Sequence, residues 1–525
     1  MTPNRSVAGA LTGVTALALV LVGCGSDGGG GGTVDGGTFT QILDTDPGNL
    51  DPQMSAGSAL FDLSKYAYDS LVSVDGDGTI LPQLAADWTV DGTTATLTLN
   101  EGITCSDGTD FTAQTAADNL NWISDPANQS AFLGAFLPAG VSTVAEGDTI
   151  TMTLSEPAPF LMLGLSGLPM VCAAGLEDRS LLASQSNGTG PYVLTEAVPN
   201  DHYTFEVREG YAWGPDGATT DESGIPATVN VRIVSDGTTA ANLLLSGEAN
   251  AAQLTGPDAD RALGADLFSQ ESTAVAGEQW YNHADGHPTS DPAVRRALTQ
   301  AVDLEELAGV ITAGKGGPAT ALATVAPVGC TYDAVSGAVP EFDVDAANTL
   351  LDDAGWVRGA DGVREKDGTK LSLTFLYDSS IGAAAAAAAE LAMEAWQEIG
   401  VQVDGKQQDE TVLLDALFGT GAWDISWVTV SVNSPDQMVG FVSGTVPPEG
   451  TNFSHISNAD YDAAISEAVQ QPGSDGCPAW QQAETALFEA ADLVPFANTT
   501  VYMFGSGAEF EWLGNIAPTS IRLRG

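Results

Sequence analysis

Leu97-Thr98-Leu99-Asn100-Glu101-Gly102-Ile103 is followed, after two residues, by Ser106-Asp107-Gly108-Thr109-Asp110-Phe111-Thr112-Ala113. The first part continues an alternation in which Ala95, Leu97 and Leu99 share one face and Thr96 and Thr98 the other. That period of two is the pattern of a half-buried strand. Just upstream, Trp88-Thr89-Val90 runs into Asp91-Gly92, so the two runs predict a hairpin about an Asp-Gly turn. The second part ends on Thr112, whose hydroxyl suits the N-cap of a helix over Thr112–Trp122.

Outward from there, β-like and helix-like segments interleave. Phe39–Leu43 reads as a strand closed by the turn-rich Asp44–Asn49, and Tyr203–Val207 and Val229–Ile233 alternate as strands. Leu60, Leu63, Tyr66, Ala67 and Leu71 recur at helical spacing, predicting a helix over most of Ala59–Val74. Asp291-Pro292 opens another, with Asp as N-cap and Pro at the first helical position. Asp303 with Glu306 repeats a capping pattern for a helix through Ile311. Ala383–Ile399 contains seven consecutive alanines and stops at Gly400. Alanine favours helix and has little volume, so this helix should lie close against a sheet. The sum is a multi-lobed α/β architecture.

The chain has 525 residues, 69 acidic against 16 basic, for a formal net charge of −53. At about 150 residues per domain this is more than one core. Its 43% hydrophobic content is that of a folding chain. So negative a field repels phosphate backbones and anionic lipid, which excludes nucleic-acid binding and polybasic membrane recruitment.

The N-terminus reads as an address. Arg5 precedes an apolar run from Val7 to Val22, too short to span a bilayer at about 20 residues. It ends in Leu21-Val22-Gly23-Cys24, which resembles the lipobox of bacterial lipoproteins. That resemblance implies a signal peptide over 1–23, cleavage before Cys24 and diacylglyceration of its thiol. Residues 24–37, with five glycines in a row, then form a tether. The mature chain is expected to be extracytoplasmic, held by lipid at the outer face of the bacterial plasma membrane. Four cysteines remain, Cys105, Cys172, Cys330 and Cys477; in an exported protein they suggest two disulfides, with three possible connectivities.

Catalytic motifs are missing. The four histidines, His202, His283, His287 and His455, form no His-Glu-x-x-His. Gly286 and Pro288 argue against a helix that would pair His283 with His287. Gly164-Leu165-Ser166-Gly167-Leu168 lacks the last glycine of a nucleophile elbow. Gly309–Lys315 has phosphate-loop spacing, but Gly316 replaces the Ser/Thr, and a helix C-terminus is the better reading. Asp75-Gly76-Asp77-Gly78 is a hairpin turn, lacking the distal ligands of an EF-hand. No metal, cofactor or enzymatic activity is expected.

Several phrases in order resemble the extracytoplasmic solute-binding proteins of peptide/nickel-type ABC importers, known as family 5. They are Asp46-Pro47-Gly48-Asn49-Leu50-Asp51-Pro52, Tyr68-Asp69-Ser70-Leu71-Val72, Leu81–Trp88, the stretch quoted at the outset, Gly188-Thr189-Gly190-Pro191-Tyr192, Asp291–Leu298 and Glu398-Ile399-Gly400-Val401. The resemblance implies a periplasmic-binding-protein-like fold (type II, cluster C) with two main lobes, an inserted lobe and a hinged ligand cleft. Lobe I would comprise residues 38–75, 188–282 and 500–525, lobe II 76–187, and lobe III 283–499. With that map the disulfides expected are Cys105–Cys172 and Cys330–Cys477, each within one lobe.

The function so implied is capture of a small solute, an oligopeptide first, between lobes I and III, and delivery to a membrane ABC permease by a monomer. The alternatives are a sensory or presentation receptor without transport, and a secreted hydrolase. The resemblance places Trp280, Tyr281 and Asn282 at the cleft, with Trp427 and the segment holding Thr429, Ser431, Asn433 and Asp436. Peptide-binding members carry an Asp there that pairs with the peptide's α-amino group. Ser431 falls at that place, and a neutral hydroxyl lacks the charge-assisted bond; Asp436 is the nearby acid that would restore it.

Overall fold

The computed structural model describes residues 32–525 apart from 56, 266 and 379–382; Cys24, the signal peptide and most of the tether lie outside the described residues. Among the described residues no helix is long and apolar enough to cross a membrane.

The hairpin forms from Ala85–Asp91 and Thr94–Leu99, with Asp91 facing Thr94. The turn is therefore Gly92-Thr93 rather than Asp91-Gly92, and Gly92 at φ +57° takes the left-handed position it needs. Strands Thr149–Thr153 and Ser142–Glu146 complete a four-stranded antiparallel sheet. The helix Ala113–Ser124 covers it, capped by Thr112, whose hydroxyl accepts from Thr115 N–H at 3.2 Å. Leu84, Leu97, Leu120, Phe132 and Ile150 form the core of this unit, and the disulfide Cys105–Cys172 lies in it.

A second unit is built on Thr38–Leu43, which pairs in parallel with Thr228–Ile233 on one side and Ala251–Leu254 on the other. Beyond Thr228–Ile233, strands His202–Val207 and Tyr192–Val198 extend the sheet antiparallel. Its core joins Phe39, Leu60, Tyr66, Tyr203 and Val229 to Phe510 and Ile521 from the end of the chain. The helix predicted over most of Ala59–Val74 is shorter, Ser58–Ala67, and Val72–Val74 is a strand. The reason is tertiary. Gly190 N–H takes the Ala67 carbonyl at 3.0 Å, and a Cβ at Gly188 would lie 2.4 Å from that oxygen. The Gly-Thr-Gly phrase thus closes the helix end.

The third unit has helices on both faces of Gln402–Gln408, Ser372–Asp378 and Ile425–Trp427. Asp291 caps Pro292–Gln300 and Asp303 caps Leu304–Ile311 through their side chains. Of the polyalanine run, Ala385, Ala388 and Ala389 are wholly buried, in close contact with Leu304–Ile311 and Gln402–Gln408. Cys330–Cys477 is the second disulfide. Both pairings are those the lobe map suggested.

Two long strands, Phe268–Tyr281 and Leu493–Gly505, run antiparallel and join the second unit's sheet to the third's. Their ends pack into different cores: half-buried Phe268 and buried Met503 in one, Tyr281 and Val494 in the other. Between them, Asn498–Tyr502 is only half-buried, and the partner residues up to Val275 are half-buried or exposed. The register slips at Gly277. A thinly covered, bulged strand pair between two cores is where bending costs least packing.

The packing also places some residues differently from the expected lobe boundaries. Leu71 and Val72 join the core of the inserted unit, Leu182 joins that of the second, and Trp280 and Tyr281 join the third.

Candidate ligand cleft

The candidate cleft is taken to have the outer face of helix Ser58–Ala67 as one wall. Leu60, Leu63, Ser64, Tyr66 and Ala67 point into the core, which leaves Phe61, Asp62 and Lys65, at i, i+1 and i+4, on the opposite side. Phe61 lies against two rings of the inserted unit, Phe132 and Phe136, with centroids 6.3 and 6.0 Å away. Lys65 Nζ sits 5.0 Å from the Phe61 centroid and donates to Ser166 O at 3.4 Å. Asp62 Oδ1 accepts from Asn515 Nδ2 at 2.8 Å. Burial pushes Asp62 up to about 7 and Lys65 down to about 8.

The other wall is the chain that leaves strand Ile425–Trp427. Val430 N–H donates to Glu278 Oε2 at 2.8 Å. Val432 bridges to Ala323, and Gly329 N–H takes Asn433 O at 2.7 Å. Gln437 holds Asn433 N–H and donates to Ala135 O at 3.0 Å, next to Phe136. On the far side, a Cβ on Gly514 would be 3.4 Å from Ala326 O. Segments from all three units thus surround this face: Phe61 meets Phe136, Ala135 meets Gln437, Asn433 meets Gly329, Gly514 lies by Ala326, and Asn515 returns to Asp62.

The third unit also closes on the inserted one. Gly473 N–H takes Pro159 O at 2.9 Å, and Phe160 and Leu163 share an apolar cluster with Trp480 and Cys330. The arrangement is a shut one.

Four residues expected at the cleft lie instead in the core. Trp280, Tyr281, Asn282 and Trp427 are each at most 1% exposed. Trp427 fits between Phe375 and Phe496, at centroid distances of 5.0 and 5.1 Å, and donates to Gln279 Oε1 at 3.0 Å. Trp280 packs on Phe453 and donates to Val428 O; Tyr281 bonds Thr299 and Gln279; Asn282 donates to Trp423 O. The physical reason is that this sheet has helices on both faces, so neither side of a strand is free. Ser431 is exposed and Thr429 and Asn433 half-buried on the cleft segment. Asp436 is turned to Ser434, whose Oγ donates to it at 2.5 Å, and burial pushes its carboxyl up.

Glu278, Asp62 and Lys65 were absent from the expected set. Glu278 is buried, pushed up to about 8 by desolvation, with Oε1 unpartnered. For Asp62 and Lys65 a signal existed: once Leu60, Leu63, Tyr66 and Ala67 define the buried face, these two polar residues share the other. Among the described residues no three His, Cys, Asp or Glu side chains are grouped to hold a metal ion. His283 bonds Asp492 O and His287 bonds Asp424, so the two do not converge.

Comparison with known proteins agrees with this architecture. The family described as bacterial extracellular solute-binding proteins, family 5 Middle, matches residues 79–450. Protein XP55 of Streptomyces lividans is 29% identical over 361 residues, covering 66% of this chain and 63% of its own length. The glutathione-binding protein GsiB of Escherichia coli O157:H7 is 28% identical over 436 residues, 80% of this chain and 81% of that one. The oligopeptide-binding protein AppA from Bacillus subtilis, solved with a nonapeptide, shares the fold with a TM-score of 0.69 at 19% identity, over 94% of this chain and 100% of its own. Such proteins act outside the cytoplasm and bind rather than transform their ligands. The chain belongs to the bacterial extracellular solute-binding proteins of family 5.

Proposed function

We propose that this chain captures an oligopeptide between the second and third units and hands it to an ABC permease, held at the outer face of the membrane by acyl chains on Cys24. The observation that carries the reading is the pair of long strands: one thin, bulged connection joins two separate cores. A solute lying between them adds contacts that exist in the shut state alone, so its binding free energy shifts the hinge equilibrium toward closure. The permease would read that closure. The glutathione-binding relative supports a short peptide as the cargo. Ser431 in place of a carboxylate means that the peptide's amino terminus is not the group that fixes it.

A thermal-shift screen with tripeptides to pentapeptides, sugars and nickel chelates tests this. Stabilisation of about 2.7 kcal/mol at a hundredfold excess over Kd is expected for peptides. Stabilisation by sugars or chelates alone would replace the peptide reading, and no stabilisation by any class would end the receptor reading.

A further inference from the structure

Lys65 is set apart from the other lysines. Among the described residues the remaining four each lie against an aspartate: Lys315 at 2.7 Å from Asp260, Lys366 at 3.8 Å from Asp291, Lys406 at 2.8 Å from Asp404, and Lys370 beside Asp361. Among the described residues no carboxylate lies within ion-pair distance of Lys65, in a chain whose sequence holds 69 acidic residues. Two stand close enough to act on it, and both are engaged elsewhere by neutral donors. Asp62 is held by Asn515 at 2.8 Å. Asp69 accepts from Tyr211 Oη at 2.8 Å, Gln83 Nε2 at 2.8 Å and Trp213 Nε1 at 3.1 Å.

The Lys65 ammonium therefore keeps one long hydrogen bond, to Ser166 O at 3.4 Å, and a ring face, Phe61. An ammonium has three N–H donors. Holding it half-buried with most of that capacity unused is costly. Burial lowers its pKa to about 8, against the pull of Asp69 and Asp62. Its position is also particular: the helix face that carries it looks away from its own core, toward the inserted unit and the segments that surround this face.

We propose that Lys65 is the anion-recognition group of the cleft, receiving a carboxylate of the bound solute. The inference rests on the reading of this cleft as the solute site and adds a chemical class to it. Cargo would carry a free carboxylate, which for an oligopeptide of uncharged residues is its C-terminus. The charge-assisted bond would be formed in a low-dielectric crevice where it is strong. Ser431 across the cleft carries no charge, so the solute would be fixed by its anionic end.

Native mass spectrometry of the full soluble chain with three tripeptide pools tests this. The first is built from Gly, Ala, Ser, Gln, Leu and Phe with free C-termini; the second is the same pool C-terminally amidated; the third is amidated with one Glu per peptide. The unsubstituted chain is expected to retain the first pool at least about tenfold better than the second. Lys65→Met should abolish that preference and Lys65→Arg keep it, with the Tm of each close to the parent's. Retention of the third pool over the second, whether or not the first is favoured, would make a side-chain carboxylate an acceptable source and still support the inference. Equal retention of all three pools by the unsubstituted chain, or an undiminished preference in a folded Lys65→Met, would overturn it and leave the oligopeptide reading intact. Retention of none would overturn the oligopeptide reading and this inference with it. The comparison among pools on the unsubstituted chain decides the matter even if a variant does not fold.

Discussion

Glu278 Oε2 accepts the backbone N–H of Val430 at 2.8 Å, tying a strand that crosses between the units to the segment that walls the cleft. The carboxyl is buried, and desolvation outweighs the Val430 bond in pushing it up to about 8. Hinge and wall therefore share one group whose charge state depends on pH.

The sign of that dependence follows from linkage. In the folded protein Glu278 keeps its proton up to about pH 8, whereas unfolded it releases it above about 4.5. Stability is fullest below the unfolded value and falls as pH rises through the folded one. Asp62 and Glu484, each raised to about 7 by burial, act in the same direction. Glu278→Gln keeps an acceptor for Val430 without the titration. Its stability loss between pH 5 and 8.5, from urea unfolding, should be smaller than the parent's by a few kcal/mol. Parallel profiles would refute this.

Trp427→Ala removes an indole packed between Phe375 and Phe496. It should lower stability by about 3–5 kcal/mol, as truncating a core aromatic does. Chemical denaturation measures it; a loss under 1 kcal/mol would put the side chain in the cleft instead.

Gly277 sits at the register slip, where an added Cβ would lie 2.3 Å from the ring of Phe496. Gly277→Ala should cost about 1–3 kcal/mol by overpacking. Pairing it with Phe496→Leu makes room, so the double variant should lose less than the sum of the singles.

Cys330–Cys477 closes a sequence separation of 147 residues. Replacing both with serine should lower the unfolding free energy by about 2–5 kcal/mol. In reducing buffer, which opens Cys105–Cys172 as well, parent and variant should both lose further stability and converge on one unfolding free energy.

Much of the fold was legible because its signals are short-range. Thr112, Asp291 and Asp303 each bond an N–H two or three residues ahead, and chemistry at that distance is printed in sequence order. The helix after Ser58 was read too long because what ends it comes from Gly188 and Gly190, far along the chain. The cleft aromatics were misplaced for a similar reason. Trp427 is an apolar residue on a strand, and whether its ring meets solute or core depends on what covers the sheet.

Taken alone, the sequence determined the hairpin, the helix starts, the polyalanine contact and, through ordered phrases, the family. These follow from side-chain period and hydrogen bonds within a few residues. Tertiary structure alone decided that Trp280 and Trp427 are core, that Glu278 holds Val430, and that among the described residues no carboxylate pairs with Lys65. Ion pairing and burial are set by which distant segments pack together, and the two acids near Lys65 are bonded to Asn515, Gln83, Tyr211 and Trp213.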